Sequence, residues 1–200
     1  ATTAIGRSES VDLWDSRSRS FVRRLLCSDG FVGSGRFNRS GGRLLTASCE
    51  GRTRIFDVTT GQETCAVLPL SRRESWAGWT NGEQQIVTVT EDGYLEECEA
   101  TSGKRISMCQ LGVQTVRAMD CSPDGKLLLL ALDHERIRVL MLGTLEHVLE
   151  IECGIGELRT CCWGSDSNRI LVGGRKGVGA WDSKGTKLFQ IHCEEDSVIA

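Results

Sequence analysis

The chain repeats itself, and the length of the repeat restricts its fold more than any other feature. Phe37, Trp79, Cys121 and Trp163 follow one another at a constant spacing of 42 residues. Leu44-Leu45, Ile86-Val87, Leu128-Leu129 and Ile170-Leu171 keep that spacing. So do Trp14, Phe56, Cys98 and Leu140, with Trp181 placed 41 residues further on. Within each period, short apolar runs alternate with turns rich in Gly, Asp, Ser and Thr; the least degraded copy is Phe37 to Gly61. Runs this short, bounded by turn residues, read as four strands in an antiparallel meander, and helical spacing is absent. A period of roughly 40–45 residues built from short strands marks a propeller blade. One blade cannot bury both faces of its own sheet, so blades must stack. The expected class is all-β.

The period divides the chain into a partial unit at 1–30, units at 31–70, 71–111, 112–152 and 153–195, and the start of another at 196–200. Thr2 to Ile5 lies 42 residues before Leu44 to Ala47, so the first unit opens part-way through a repeat. About five blades are visible. Either the two ends complete one blade and close a five-bladed ring, or the chain is a segment of a larger ring. The second is the expectation here, because the opening strand carries neither a start methionine nor a capping segment.

Composition narrows the partners. A net charge of -3 with 26% charged residues gives no broad basic face for nucleic acid or a membrane surface. The longest apolar run, Leu127 to Leu132, is far short of the roughly 18 residues a membrane helix needs. The first ten residues lack the basic and apolar stretches of a signal peptide. The ten cysteines form no CxxC pair and no zinc-ligand spacing with histidine. Cys121 and Cys98 stand where other repeats carry aromatic residues, which makes them small apolar core residues. Adjacent Cys161 and Cys162 must face opposite sides of a strand. Free, mostly buried thiols imply a reducing compartment, and the expectation is an intracellular, cytoplasmic or nuclear protein. The sequon Asn38-Arg39-Ser40 points the other way and is outweighed.

The turn Cys121-Ser122-Pro123-Asp124-Gly125, together with Trp14-Asp15, Phe56-Asp57 and Trp181-Asp182, resembles the WD-repeat β-propeller family over essentially the whole chain. The resemblance implies four-stranded antiparallel blades in a ring, seven in most members, and service as a protein-interaction scaffold. Members of that family tie each blade with a hydrogen-bonded network that includes a Gly-His dipeptide and a turn acid. This chain has no Gly-His. The turn acid persists as Glu50 and Asp92 and gives way to His134 and Arg175 in the next two repeats. Apolar stacking must therefore supply most of the stability.

Catalytic readings find little support. His134, His147 and His192 are the only histidines, and none adjoins a nucleophile motif of the kind a triad requires. Gly173-Gly174-Arg175-Lys176-Gly177-Val178-Gly179 departs from the phosphate-binding GxxxxGK[ST] pattern; it reads as a tight turn whose glycines supply positive φ. Glu96-Glu97 on a strand face opposite ways, and Glu194-Glu195-Asp196 reads as a solvated run. The serine-arginine run Ser16 to Ser20 fits an exposed loop open to phosphorylation. The chain is read as a non-enzyme needing no cofactor, metal or small-molecule substrate.

Recognition by loops remains. One end of each blade gathers the middle-strand turns and the connections between repeats, and loops on a rigid scaffold are where binding resides. The candidate partner-binding residues are Arg72, Arg73, Glu74, Asp92, Asp133, His134, Arg175 and Lys176, with Glu50, Arg52 and Glu91 on the same ring. Their mixed charge suits another protein, in the manner of a subunit of a larger intracellular assembly. Two alternatives are carried: an enzyme built on a propeller frame, and an RNA-contacting subunit using Arg72, Arg73, Arg175 and Lys176.

Overall fold

A computed structural model describes residues 2–4, 9–27, 30–49, 52–67, 75–113 and 115–193. Among the described residues the regular elements are all β-strands apart from a single 3-10 turn at Asn81–Glu83. Five antiparallel sheets follow in chain order. The first is three-stranded, β1 (Thr2–Ala4), β2 (Ser10–Asp15) and β3 (Ser20–Leu26). The second comprises β4 (Val32–Phe37), β5 (Arg43–Ser48), β6 (Thr53–Asp57) and β7 (Glu63–Val67). The third holds β8 (Ser75–Thr80), β9 (Gln85–Thr90), β10 (Tyr94–Glu99) and β11 (Arg105–Gln110). The fourth holds β12 (Val116–Cys121), β13 (Leu127–Leu132), β14 (Arg136–Met141) and β15 (His147–Glu152). The fifth holds β16 (Leu158–Trp163), β17 (Arg169–Gly174), β18 (Gly177–Asp182) and β19 (Lys187–His192). Each four-stranded sheet pairs its strands in sequence order, the meander of a propeller blade.

The chain groups into two compact units, the first built around the first three sheets and the second around the last two. In both, the 42-residue period reappears as burial. Leu44 and Phe56 oppose each other across β5 and β6, as do Ile86 and Cys98, Leu128 and Leu140, and Ile170 and Trp181. All eight are buried. The neighbouring positions point to the other face of the same sheet. In the first unit, Val11, Leu13 and Leu25 of the first sheet form one cluster with Leu44 and Phe56 of the second. Leu45, Ile55 and Cys65 on the opposite face of the second sheet join Ile86 and Cys98 of the third. In the second unit, Ala118, Leu129, Ala131 and Val139 join Trp163, Ile170, Val172 and Trp181. Sheets with two apolar faces are stable only when both are covered, and each buried Leu or Ile contributes about 1.5–3 kcal/mol.

Polar contacts lock the stacking. Between the second and third sheets, the Glu83 carboxylate accepts from Asn38 Nδ2 at 2.9 Å and from the backbone N–H of Arg39. Arg43 lies over the Trp79 ring, 4.7 Å from its centre, and donates to the Glu83 carbonyl. Trp79 Nε1 donates to the Arg36 carbonyl at 3.0 Å. Asn38, the sequon residue, is 8% exposed and its side-chain oxygen also accepts from Arg43 N–H. Its amide is therefore part of the packing. Between the fourth and fifth sheets, Trp163 N–H donates to Asp120 Oδ2 at 2.9 Å.

The acids after Trp14, Phe56 and Trp181 cap the turns that follow them. Asp57 Oδ1 accepts from the N–H and hydroxyl of Thr60, and Asp182 Oδ1 accepts from the N–H groups of Lys184 and Thr186. Asp15 does the same for Arg17 and Ser18. These bonds favour the ionised form and hold all three carboxyls below the ordinary range.

A second recurring device is an ion pair between third and fourth strands, at positions 12, 54, 96 and 138. Asp12 pairs bidentately with Arg24, at 2.6 and 2.8 Å. Arg54 pairs with Glu63, Glu96 with Arg105, and Arg138 with Glu150 at 2.8 Å. The sign on the third strand alternates from one repeat to the next. Glu96 is 2% exposed, a buried carboxylate held by arginine. In the fifth sheet Gly179 takes this place, and a Cβ there would run into the Trp181 ring.

Two expectations need correction. Gly173, Gly174, Gly177 and Gly179 all have φ outside the positive range. They are glycines because the chain passes too close: a Cβ on Gly174 would lie 2.5 Å from the Ile155 carbonyl oxygen, and one on Gly177 would strike that of Ile191. The ten thiols are free, but only Cys27, Cys65, Cys98, Cys153 and Cys161 are buried. Cys98 and Cys153 are pushed up to about 12, chiefly by burial and secondarily by the nearby charges of Glu96 and Glu135 respectively. Cys121 is only half-buried, while Cys161 and Cys162 face opposite ways, buried and exposed. Among the described residues, no helix is long and apolar enough to cross a membrane.

Candidate functional site

The loop end of the second unit carries the densest set of charged side chains that the period singled out. The turn from β13 to β14 runs through His134 and Glu135, both at positive φ, +60° and +59°. Side chains with a Cβ adopt that region at a cost of roughly 1–2 kcal/mol each, and two in succession hold a strained turn at the sheet's edge. Asp133, just before it, accepts from Arg117 Nε at 2.9 Å. Partial burial acts to raise the Asp133 carboxyl, but hydrogen bonds from Thr115 and Arg117 and the arginine's charge outweigh it and hold the group low.

Arg117 also reaches Glu157, with Nη1 3.9 Å from Oε1. The other Glu157 oxygen lies 3.8 Å from Arg159. The backbone completes the connection. Arg175 N–H donates to the Glu157 carbonyl at 2.9 Å, and Lys176 N–H donates to that of Ile155 at 2.8 Å. The β17–β18 turn is thereby pinned to the loop that carries Glu157, with the Arg175 and Lys176 side chains exposed.

Of the eight residues singled out from sequence, the second unit thus unites four, Asp133, His134, Arg175 and Lys176. Asp92 belongs to the first unit, in the turn between β9 and β10. Its carboxylate accepts from Thr90 Oγ1 at 2.6 Å, its carbonyl accepts from Gln110, and Gly93 supplies the positive φ of that turn, +79°. This acid closes its own turn. Arg72, Arg73 and Glu74 lie outside the described residues, as does Glu50. Arg117, Glu157 and Arg159 were missing from the sequence-derived set, although Arg117 and Arg159 are themselves 42 residues apart. His147 and His192 are exposed on fourth strands.

Chemically, the site is a mosaic of opposite charges, all at least partly exposed. Exposed ion pairs contribute only about 0–1 kcal/mol to stability, so these pairs can exchange for a partner's charges at small cost. No group of three or more metal-ligating side chains among the described residues could hold an ion. No protein-family model matches the sequence, and no curated protein does.

Proposed function

We propose that this chain is a WD-repeat-like propeller segment that acts as a non-catalytic protein–protein interaction scaffold within a larger intracellular assembly. Its partner surface is the loop end of the second unit. The observation that carries the reading is the connected set Asp133–Arg117–Glu157, flanked by the exposed Arg175 and Lys176 and by the strained turn at His134. Both signs of charge stand on one rigid sheet end, an arrangement that favours specificity and fast encounter with a protein of complementary pattern. The family resemblance supports the same reading, and so do the four-stranded meanders.

The test is charge reversal on the exposed side chains of the β17–β18 turn. In the double variant Arg175→Glu/Lys176→Glu, partners recovered by affinity purification should be lost while the melting temperature stays unchanged. Undiminished recovery would overturn the assignment of this surface. Binding that survives only at low salt and is removed by nuclease would replace the protein partner with RNA, since phosphate contacts weaken steeply with salt.

A further inference from the structure

Every turn from a third strand to a fourth carries one position at positive φ, and the repeat shows which residue suits it. Gly61 holds it at +76° and Gly103 at +68°, with Gly185 at +88° in the shorter turn of the fifth sheet. The fourth sheet has Leu145 there at +57°, with a half-buried apolar side chain. The first sheet has Arg19, at +54° and exposed. A side chain with a Cβ enters that region against steric resistance. Nothing in the fold offsets the strain, because among the described residues the Arg19 guanidinium makes no hydrogen bond or ion pair. The Arg17 guanidinium is likewise exposed and without such a partner. An arginine kept where the backbone favours glycine points to a demand from outside the fold.

The string around it alternates, Ser16-Arg17-Ser18-Arg19-Ser20, and all five residues are exposed. Their exposure belongs to the turn itself. Thr59 and Thr60, in the corresponding turn of the second sheet, are exposed although both faces of that sheet are covered. Asp15 closes the β2–β3 turn by accepting from Arg17 N–H at 2.9 Å, Ser18 N–H at 2.8 Å and the Ser18 hydroxyl at 3.0 Å. The Ser18 and Ser20 hydroxyls lie 2.7 Å apart.

We infer that Ser18 is a phosphorylation site for a serine kinase that recognises arginine on both sides of its acceptor. Ser16 adjoins the charge of Asp15, and Ser20 is held in the ladder opposite Asp15, so the middle serine is the one both arginines flank and the turn can release. Opening the turn also lets Arg19 leave its strained conformation. The kinase transfers the γ-phosphoryl group of ATP to Ser18 Oγ: the Oγ–P bond forms, the bond from the γ-phosphorus to the β–γ bridging oxygen breaks, ADP departs, and the hydroxyl proton passes to the kinase's base. The added group brings a charge of about -1.5 to -2 beside the Asp15 carboxylate and removes the hydroxyl that donated to it. Arg17 and Arg19 are then the cations within reach of the phosphate, and charge-assisted bonds to it replace the Asp15 cap. The turn changes from basic to acidic without any change in the sheets. This inference concerns the first sheet and does not rest on the loop-end reading above.

The test uses the folded full chain, ATP and an arginine-directed serine kinase shown to be active on an arginine–serine repeat peptide, with sites mapped by mass spectrometry. One phosphate is expected, on Ser18, and Ser18→Ala should reduce incorporation to background. Arg19→Gly installs the residue that three other turns use. It should slow incorporation at least tenfold while melting at or above the temperature of the parent. Failure of the kinase to modify the folded chain would overturn the inference, as would phosphate placed on Ser16 or Ser20 in place of Ser18. A slowing of less than tenfold in Arg19→Gly would overturn it too. So would an Arg19→Gly variant that melts below the parent, because Arg19 would then serve the fold.

Discussion

Glu150 shows how much of this molecule is decided by single side chains. Arg138 donates to it at 2.8 Å and Arg136 at 3.1 Å, and the first of these does most to hold its carboxyl below the ordinary range. A carboxyl whose folded value is depressed contributes stability that is present above the unfolded value and is lost as pH falls through the folded one. Arg138→Met removes the main cause. The expected result is a smaller loss of stability on acidification in the variant than in the parent, with the two denaturation curves drawing together at low pH. Curves that stay equally far apart from neutral to acid pH would show that the arginine acts through packing alone. The neighbouring pair behaves differently in kind, because Glu96 is buried while Arg105 is half exposed. Nothing in the residue string Glu96-Glu97 distinguishes the interior carboxylate from the outer one. Only the step from Arg54 to Glu96 to Arg138 does, and it becomes visible once the partners on the fourth strands are known.

At the scale of the sheet, position within the repeat outweighs residue type. Leu129 and Leu171 are the same residue on the same strand of consecutive sheets, one fully buried and the other exposed. Leu129→Ala should cost about 2–5 kcal/mol, as other buried leucines do. Leu171→Ala should fall within about 0.5 kcal/mol, the range of ordinary surface changes. Urea denaturation measures both, and similar costs would mean that Leu171 is packed as Leu129 is. The strands themselves were legible from the sequence because turn residues and apolar runs recur at fixed spacing. The glycines at 173–179 were misread for a physical reason. A turn that needs positive φ and a strand that needs room for a passing carbonyl select the same residue, and only the coordinates of Ile155 and Ile191 separate the two.

For the whole molecule, the class of fold and the stacking of apolar faces followed from the period, because a sheet with two greasy faces has few ways to be stable. The loop-end cluster followed only in part. Asp133, His134, Arg175 and Lys176 were found as departures from the repeat, whereas Arg117, Glu157 and Arg159 sit at or before the first strands, where no departure marks them. The exposure of Leu171 and Trp14 was beyond reach, since both look in sequence like any other members of their series.

The alternating sign at positions 12, 54, 96 and 138 bears on how the chain avoids folding wrongly. Near-identical repeats invite a third strand to pair with the fourth strand of the adjacent repeat, a characteristic failure of repeat proteins. Here every such error sets like charges together: Asp12 against Glu63, Arg54 against Arg105, Glu96 against Glu150. The ion pairs thus act as a parity check on assembly. Exchanging Arg54→Glu with Glu63→Arg keeps the pair within its own sheet and makes the mispaired forms attractive. That variant should match the parent in equilibrium stability and yet refold in lower yield, with the deficit appearing as misassembled chains; equal yields would show that the alternation carries no such information.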